Sequence, residues 1–128
     1  MKSQKIVQSS ENIQNELNDL IIDCIQDIKG KNVLKLDLRA LDEAPASYFI
    51  ICEGESAVQV KAISENIHRR VKEEVQLRPS HIEGEKGARW VLVDYFDTVV
   101  HIFYPETRSF YDLEAFWGDA VFTEYQNI

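Results

Sequence analysis

The spacing of apolar and polar positions changes several times along the chain, and each change marks an element. Ile13, Leu17, Leu20, Ile21, Cys24, Ile25 and Ile28 recur at three and four residues. That period predicts an amphipathic helix with Glu16, Asp19, Asp23 and Asp27 turned to solvent. Ser10 or Asn12 is available to cap its start and Gly30 its end. Residues 1–11 are polar without a pattern and are expected to fray. Asn32 to Leu38 then alternates as a strand. Ala40 to Ala46 is a connection, and Ser47 to Glu53 is a second strand. Its run Tyr48-Phe49-Ile50-Ile51-Cys52 is continuously apolar, the mark of a central strand covered on both faces. Ser56 and Gln59 have capping-box spacing and open a second helix, whose inward stripe is Val60, Ile63, Ile67, Val71 and Val75. That helix ends before Pro79. Ser80 to Glu83 reads as a short edge strand and Gly84 to Gly87 as a turn.

Arg89 to Tyr95 and Thr98 to Tyr104 alternate on either side of Phe96-Asp97, which predicts a β-hairpin. A loop centred there sets Asp94 opposite Val99, Leu92 opposite His101 and Trp90 opposite Phe103. The other face, Val91, Val93, Tyr95, Thr98, Val100, Ile102 and Tyr104, is nearly all apolar and is assigned to the core. The first face mixes aromatics with a carboxylate and an imidazole. Burying those two unpaired is costly, so this face is expected to be at least partly accessible and to carry function. The competing structural reading is a covered face in which Asp94 and His101 are satisfied internally. Pro105 to Arg108 reads as a turn, and Ser109 to Trp117 as a short extended piece and a short helix. Phe110, Leu113, Phe116 and Trp117 should dock on the body.

The element order predicts a single α/β domain over residues 12–120 with one mixed, roughly five-stranded sheet packed by helices. Residues 121–128 are left as a tail. No apolar run approaches the roughly 18 residues of a membrane span, and no signal-peptide core is present, so a cytoplasmic protein without membrane contact is expected. Cys24 and Cys52 sit in apolar stripes and read as core residues.

A net charge of −8 opposes direct phosphate-backbone or sequence-specific nucleic-acid binding and favours a basic protein partner. Catalytic chemistry finds little support. His68, His81 and His101 lack metal-ligand spacing. Asp94 and Asp97 bracket a turn, where aspartate is favoured for local reasons, so a metal is the weaker reading. Ser56, His101 and Asp94 form no triad without a nucleophile elbow. Gly54-Glu55-Ser56 opens a helix, but Glu53 and Glu55 would repel a phosphate and there is no glycine-rich loop. No catalytic residue, metal or cofactor is assigned, and the residues argue for a binding module.

Two blocks give the chain a family likeness. One is Arg89-Trp90-Val91-Leu92-Val93-Asp94-Tyr95-x-Asp97-x-Val99-Val100-His101-Ile102-Phe103. The other is Arg108-x-x-Tyr111-x-Leu113-Glu114-x-x-Trp117-x-Asp119-Ala120. With Ile50-Ile51-Cys52-x-Gly54-x-Ser56 and Gln59-Val60, Ala62-Ile63, the chain resembles the ribosomal silencing factor (RsfS), or Iojap, family over roughly residues 12–120. The resemblance implies a fold akin to nucleotidyltransferases without their catalytic residues. It implies binding to the large ribosomal subunit through its ribosomal protein fourteen (uL-fourteen), which blocks joining of the small subunit and represses translation when nutrients are short. A role in large-subunit maturation, and homodimers of the free protein, belong to the same likeness. Trp90 matches the family's partner-binding tryptophan, and Asp94, His101 and Tyr111 fall on matching positions near it. The expected partner surface is therefore Trp90, Leu92, Asp94, Phe96, Val99, His101, Phe103 and Tyr111. Two departures are Phe96-Asp97 where the family has Gly-Asp, and Ala46-Ser47 where it has Thr-Asp. A nucleotidyltransferase-like enzyme and a homodimerisation module are the alternatives.

Overall fold

The structure, a computed structural model, describes the backbone of residues 2–128 and side chains from residue 12 onward. Its elements run α1 (Lys2–Asp27), β1 (Lys31–Asp37), β2 (Tyr48–Glu53), α2 (Ala57–Val75), β3 (His81–Glu83), β4 (Trp90–Asp94), β5 (Thr98–Phe103), α3 (Pro105–Tyr111), α4 (Leu113–Phe116) and β6 (Val121–Glu124). The strands form one mixed sheet in the order β3-β4-β5-β2-β1-β6. Only the β2–β5 pair is parallel, joined by the connection that carries α2. The sheet thus has six strands, not five. The sixth comes from the stretch expected to be a tail, and pairs Leu34–Asp37 of β1 with Val121–Glu124. All four of its residues are exposed, so burial left no alternation in the sequence to betray it.

α1 and α2 cover one face of the sheet. Leu17, Ile21, Cys24 and Ile25 of α1 and Val60, Ile63, Ile67 and Val71 of α2 meet Ile50, Val91, Val93, Tyr95, Val100 and Ile102. Ile13 and Val75 were expected in these stripes but lie exposed. Midway along its length α1 turns Gln14 and Asn18 inward instead. The Gln14 amide donates to Thr98 Oγ1, which donates to Asn18 Oδ1, each at 2.6 Å. The Thr98 hydroxyl on the core side of the hairpin is thereby satisfied, whereas the buried Tyr95 hydroxyl has no hydrogen-bond partner among the described residues. α1 runs through Ser10 and Asn12, so neither caps it. Its C-terminal turn closes on Lys29 at φ 62°, with Gly30 N–H donating to Ile25 O at 2.9 Å. A Cβ at Gly30 would run into the Ile25 side chain.

Ser56 caps α2 as expected: its Oγ accepts from Gln59 N–H at 3.1 Å, and Gln59 Oε1 accepts from Glu55 N–H at 2.6 Å. Asn66 donates to Cys24 O at 2.9 Å and Arg70 bridges to Asp23 at 2.8 Å, tying the two helices together. Cys24 and Cys52 are buried and free, and burial pushes the Cys24 thiol up to about 11 and that of Cys52 up as well. Among the described residues no helix is long and apolar enough to cross a membrane.

Candidate functional site

The hairpin has the expected register, with Trp90 opposite Phe103, Leu92 opposite His101 and Asp94 opposite Val99. Asp97 N–H donates to Tyr95 O at 2.9 Å and Tyr95 N–H to Thr98 O at 2.8 Å, so the reversal takes only Phe96 and Asp97. Phe96 carries the turn at φ 70°, a left-handed geometry that glycine adopts freely. Asp94 Oδ1 accepts from Phe96 N–H at 2.7 Å, which explains a carboxylate at this position as a turn former. The Asp97 carbonyl accepts from Ser47 and Tyr48 N–H, each at 2.9 Å, and anchors the tip to the start of β2.

The mixed face is less open than its composition suggests. Leu41, Ala44 and Ala46 from the β1–β2 connection, and Leu113, Trp117 and Ala120 from the end of the chain, pack over Leu36, Phe49, Ile51, Val99 and Phe103. Val99, His101 and Phe103 are therefore buried and contribute no accessible surface, against expectation. His101 is only 4% exposed. Trp90 Nε1 donates to its Nδ1 at 3.1 Å, so the imidazole is the Nε2-protonated tautomer, and that second nitrogen has no partner among the described residues. Burial disfavours the imidazolium and pushes its pKa down to about 4. His101 bonds the indole from within and offers almost no surface to a partner.

What remains accessible lies around Trp90. The indole is half-buried, stacked on Phe103 at 4.9 Å between centroids and tilted against Tyr111 at 4.8 Å. Leu92 and Asp94 are half-buried beside it. Tyr111 is exposed and meets Phe110 edge-on at 5.1 Å. Phe110 itself is 80% exposed. Phe116, 72% exposed, meets Trp117 at 5.0 Å, and Trp117 reaches Phe49 at 6.0 Å, which touches His101 at 4.5 Å. One series of ring contacts thus runs from Phe116 through Trp117, Phe49, His101, Trp90 and Tyr111 to Phe110. Both of its ends stand in solvent. Phe96, 71% exposed, adds an aromatic at the hairpin tip.

Phe110 and Phe116 were expected to dock inward, and the structure turns them outward. The reason is a break in helical phase. Pro105 starts α3 directly, where a turn was expected, and Asp112 at φ 46° both ends α3 and caps α4, its Oδ1 accepting from Ala115 N–H at 3.4 Å. Across that break only Leu113 and Trp117 keep their contacts with the sheet. Asp112 three residues before Ala115 is the signal that marks the second helix start. Arg108, read from sequence as part of a turn, is buried among Asn32, Glu53 and Glu114.

The other chemistry weighed from sequence is not assembled. Ser56 lies at the α2 N-terminus, where its Oγ accepts from Gln59 N–H, and the His101 ring is engaged by Trp90, so these two do not form a nucleophile–base pair. The Glu55 and Gln59 amides that would meet a phosphate are already bonded by Gln59 and Ser56. Among the described residues no group of three or more metal-ligand side chains converges.

Comparison with known proteins agrees with the likeness seen in the hairpin motifs. The family model for ribosomal silencing factor during starvation matches residues 10–128. The ribosomal silencing factor RsfS of Bacillus subtilis is 43% identical over 94 residues, 73% of this chain and 78% of that protein. That of Halalkalibacterium halodurans is 36% identical over 113 residues, 88% of this chain and 95% of that protein. A crystal structure of a Chromobacterium violaceum protein superposes with a TM-score of 0.77 at 38% identity, covering 81% of this chain and 85% of that one. With its hairpin motifs, mixed six-stranded sheet and match over nearly its whole length, the chain belongs to the ribosomal silencing factor family.

Proposed function

We propose that the protein represses translation by docking on the large ribosomal subunit through the aromatic surface of Trp90, Phe110, Tyr111 and Phe116. The contact is its ribosomal protein fourteen, and the bound factor blocks joining of the small subunit, especially under nutrient limitation. One observation carries this reading: large aromatic side chains, 52–80% exposed in Tyr111 and Phe110, are clustered beside Trp90. Exposed aromatics grouped in this way are costly to leave in water and mark interaction surfaces. The net charge of −8 suits a basic ribosomal protein. Leu92, Asp94 and Phe96 extend the surface along the hairpin, whereas Val99, His101 and Phe103 support it from beneath. A cytoplasmic setting goes with this role, and a homodimer of the free protein would compete with docking if it uses the same rings.

Co-sedimentation with purified large subunits tests the reading. The Phe110→Ala/Tyr111→Ala double variant removes only exposed rings, so it should stay folded and bind about tenfold or more weakly, a loss of ~1.4 kcal/mol or more. Wild-type affinity in a folded double variant would overturn it. Calorimetry with nucleoside triphosphates and magnesium separates the enzymatic alternative, for which stoichiometric heat is required.

A further inference from the structure

We infer that Arg108 is a positioning residue for the docking face: its guanidinium clasps the α3–α4 segment to the sheet and so holds Phe110, Tyr111 and Phe116 in place. This rests on the function proposed above. α3 has seven residues and α4 four, far too short to be helical on their own. Their rings point mostly outward, and the apolar anchorage of α4 and the residues after it is limited to Leu113, Trp117 and Ala120, all only partly buried. Something other than apolar burial must set the segment's place.

Arg108 supplies it. The side chain is buried at the end of the sheet. Nη1 donates to Asn32 O at 2.7 Å and to Glu53 Oε2 at 3.0 Å, and Nε donates to Glu114 Oε2 at 3.0 Å. One planar group thereby bridges the start of β1, the end of β2 and α4. The sheet side of the clasp is itself held. Asn32 sits at φ 52° where β1 is irregular, its N–H donates to Asn127 Oδ1 at 2.8 Å, and its amide donates to Glu53 Oε1 at 3.3 Å. The end of the chain therefore supports the same anchor.

The geometry requires arginine. Lysine keeps the charge, but a single ammonium cannot reproduce a fork that satisfies three acceptors in different directions. A neutral side chain leaves Glu53 and Glu114 facing one another, and their repulsion drives α4 from the sheet. A displaced segment must be reordered on docking, which lowers affinity without touching a contact residue.

Hydrogen exchange and large-subunit binding of the full chain decide the matter. Arg108→Gln should raise amide exchange in residues 105–117 about tenfold while amides of α2 keep their protection, and should weaken binding about fivefold or more under conditions where it remains folded. Arg108→Lys should recover part of both. If Arg108→Gln does not fold, Glu114→Gln removes one arm without leaving a lone carboxylate, and should shift both readouts in the same direction by less. Unchanged exchange in 105–117, or a rise spread evenly over the chain, would overturn the inference. Failure of the docking reading is seen separately, as normal binding by the Phe110→Ala/Tyr111→Ala variant.

Discussion

The Trp90–His101 pair makes a prediction whose size follows from burial. Trp90→Phe keeps a ring against Phe103 and Tyr111 but removes the N–H that reaches His101 Nδ1 at 3.1 Å. That acceptor is then left unsatisfied in a residue only 4% exposed, beside an Nε2 that already lacks a partner among the described residues. Stranding a buried acceptor costs about 1–3 kcal/mol, and ~2 kcal/mol is expected here. His101→Phe removes both polar nitrogens and fills similar space against Phe49. The indole is only half-buried, so its N–H can then turn to water, and the change should cost less than about 1.5 kcal/mol. In that background Trp90→Phe should cost almost nothing. Urea denaturation of the four proteins at neutral pH gives the cycle, with an expected coupling of ~1.5–2 kcal/mol. Equal costs of Trp90→Phe in both backgrounds would show that the hydrogen bond does not hold the indole.

The same imidazole makes stability pH-dependent. Its folded pKa of about 4 lies below the ordinary 6.5, so between those values the unfolded chain takes up a proton that the native protein refuses. Stability should fall as pH drops through that window, by on the order of 3 kcal/mol, and His101→Phe should flatten the fall; an unchanged slope would contradict it. Phe96→Gly relieves a left-handed residue at φ 70° and should raise Tm by about 3–5 °C while weakening docking, because the ring at the hairpin tip is lost. A variant that gains neither stability nor a binding defect would remove Phe96 from the account. If the proposed partner is basic, affinity of this acidic chain for large subunits should fall as salt rises; salt-independent binding would discard the electrostatic part of the proposal.

Much of the fold could be read from the residue pattern because burial leaves periods of two and of three to four. The Tyr48–Cys52 run lies between β1 and β5 and is buried throughout, and the hairpin register is set by two turn residues between alternating flanks. β6 was illegible because a strand held by backbone pairing at an exposed edge needs no apolar face. The site was half legible. Composition identified the face that carries Trp90, but an imidazole on a strand does not reveal whether a neighbouring indole satisfies it. In His101 the indole satisfies Nδ1 alone, and the ring is buried all the same. The outward Phe110 and Phe116 were hidden by one left-handed residue, Asp112, which breaks a stripe that a continuous helix would have turned inward. Arg108 looked like loop because its three partners lie 6 to 76 positions away in sequence.

The claim on which the rest depends is that the exposed rings keep the two ribosomal subunits apart. Light scattering from purified small and large subunits, mixed after the large subunit has met the protein, reads that directly. The wild-type chain should suppress the association signal in proportion to its occupancy of the large subunit, and the folded Phe110→Ala/Tyr111→Ala variant at the same concentration should leave most of it. Full association in the presence of saturating wild-type protein, or equal suppression by the ring-less variant, would contradict the account.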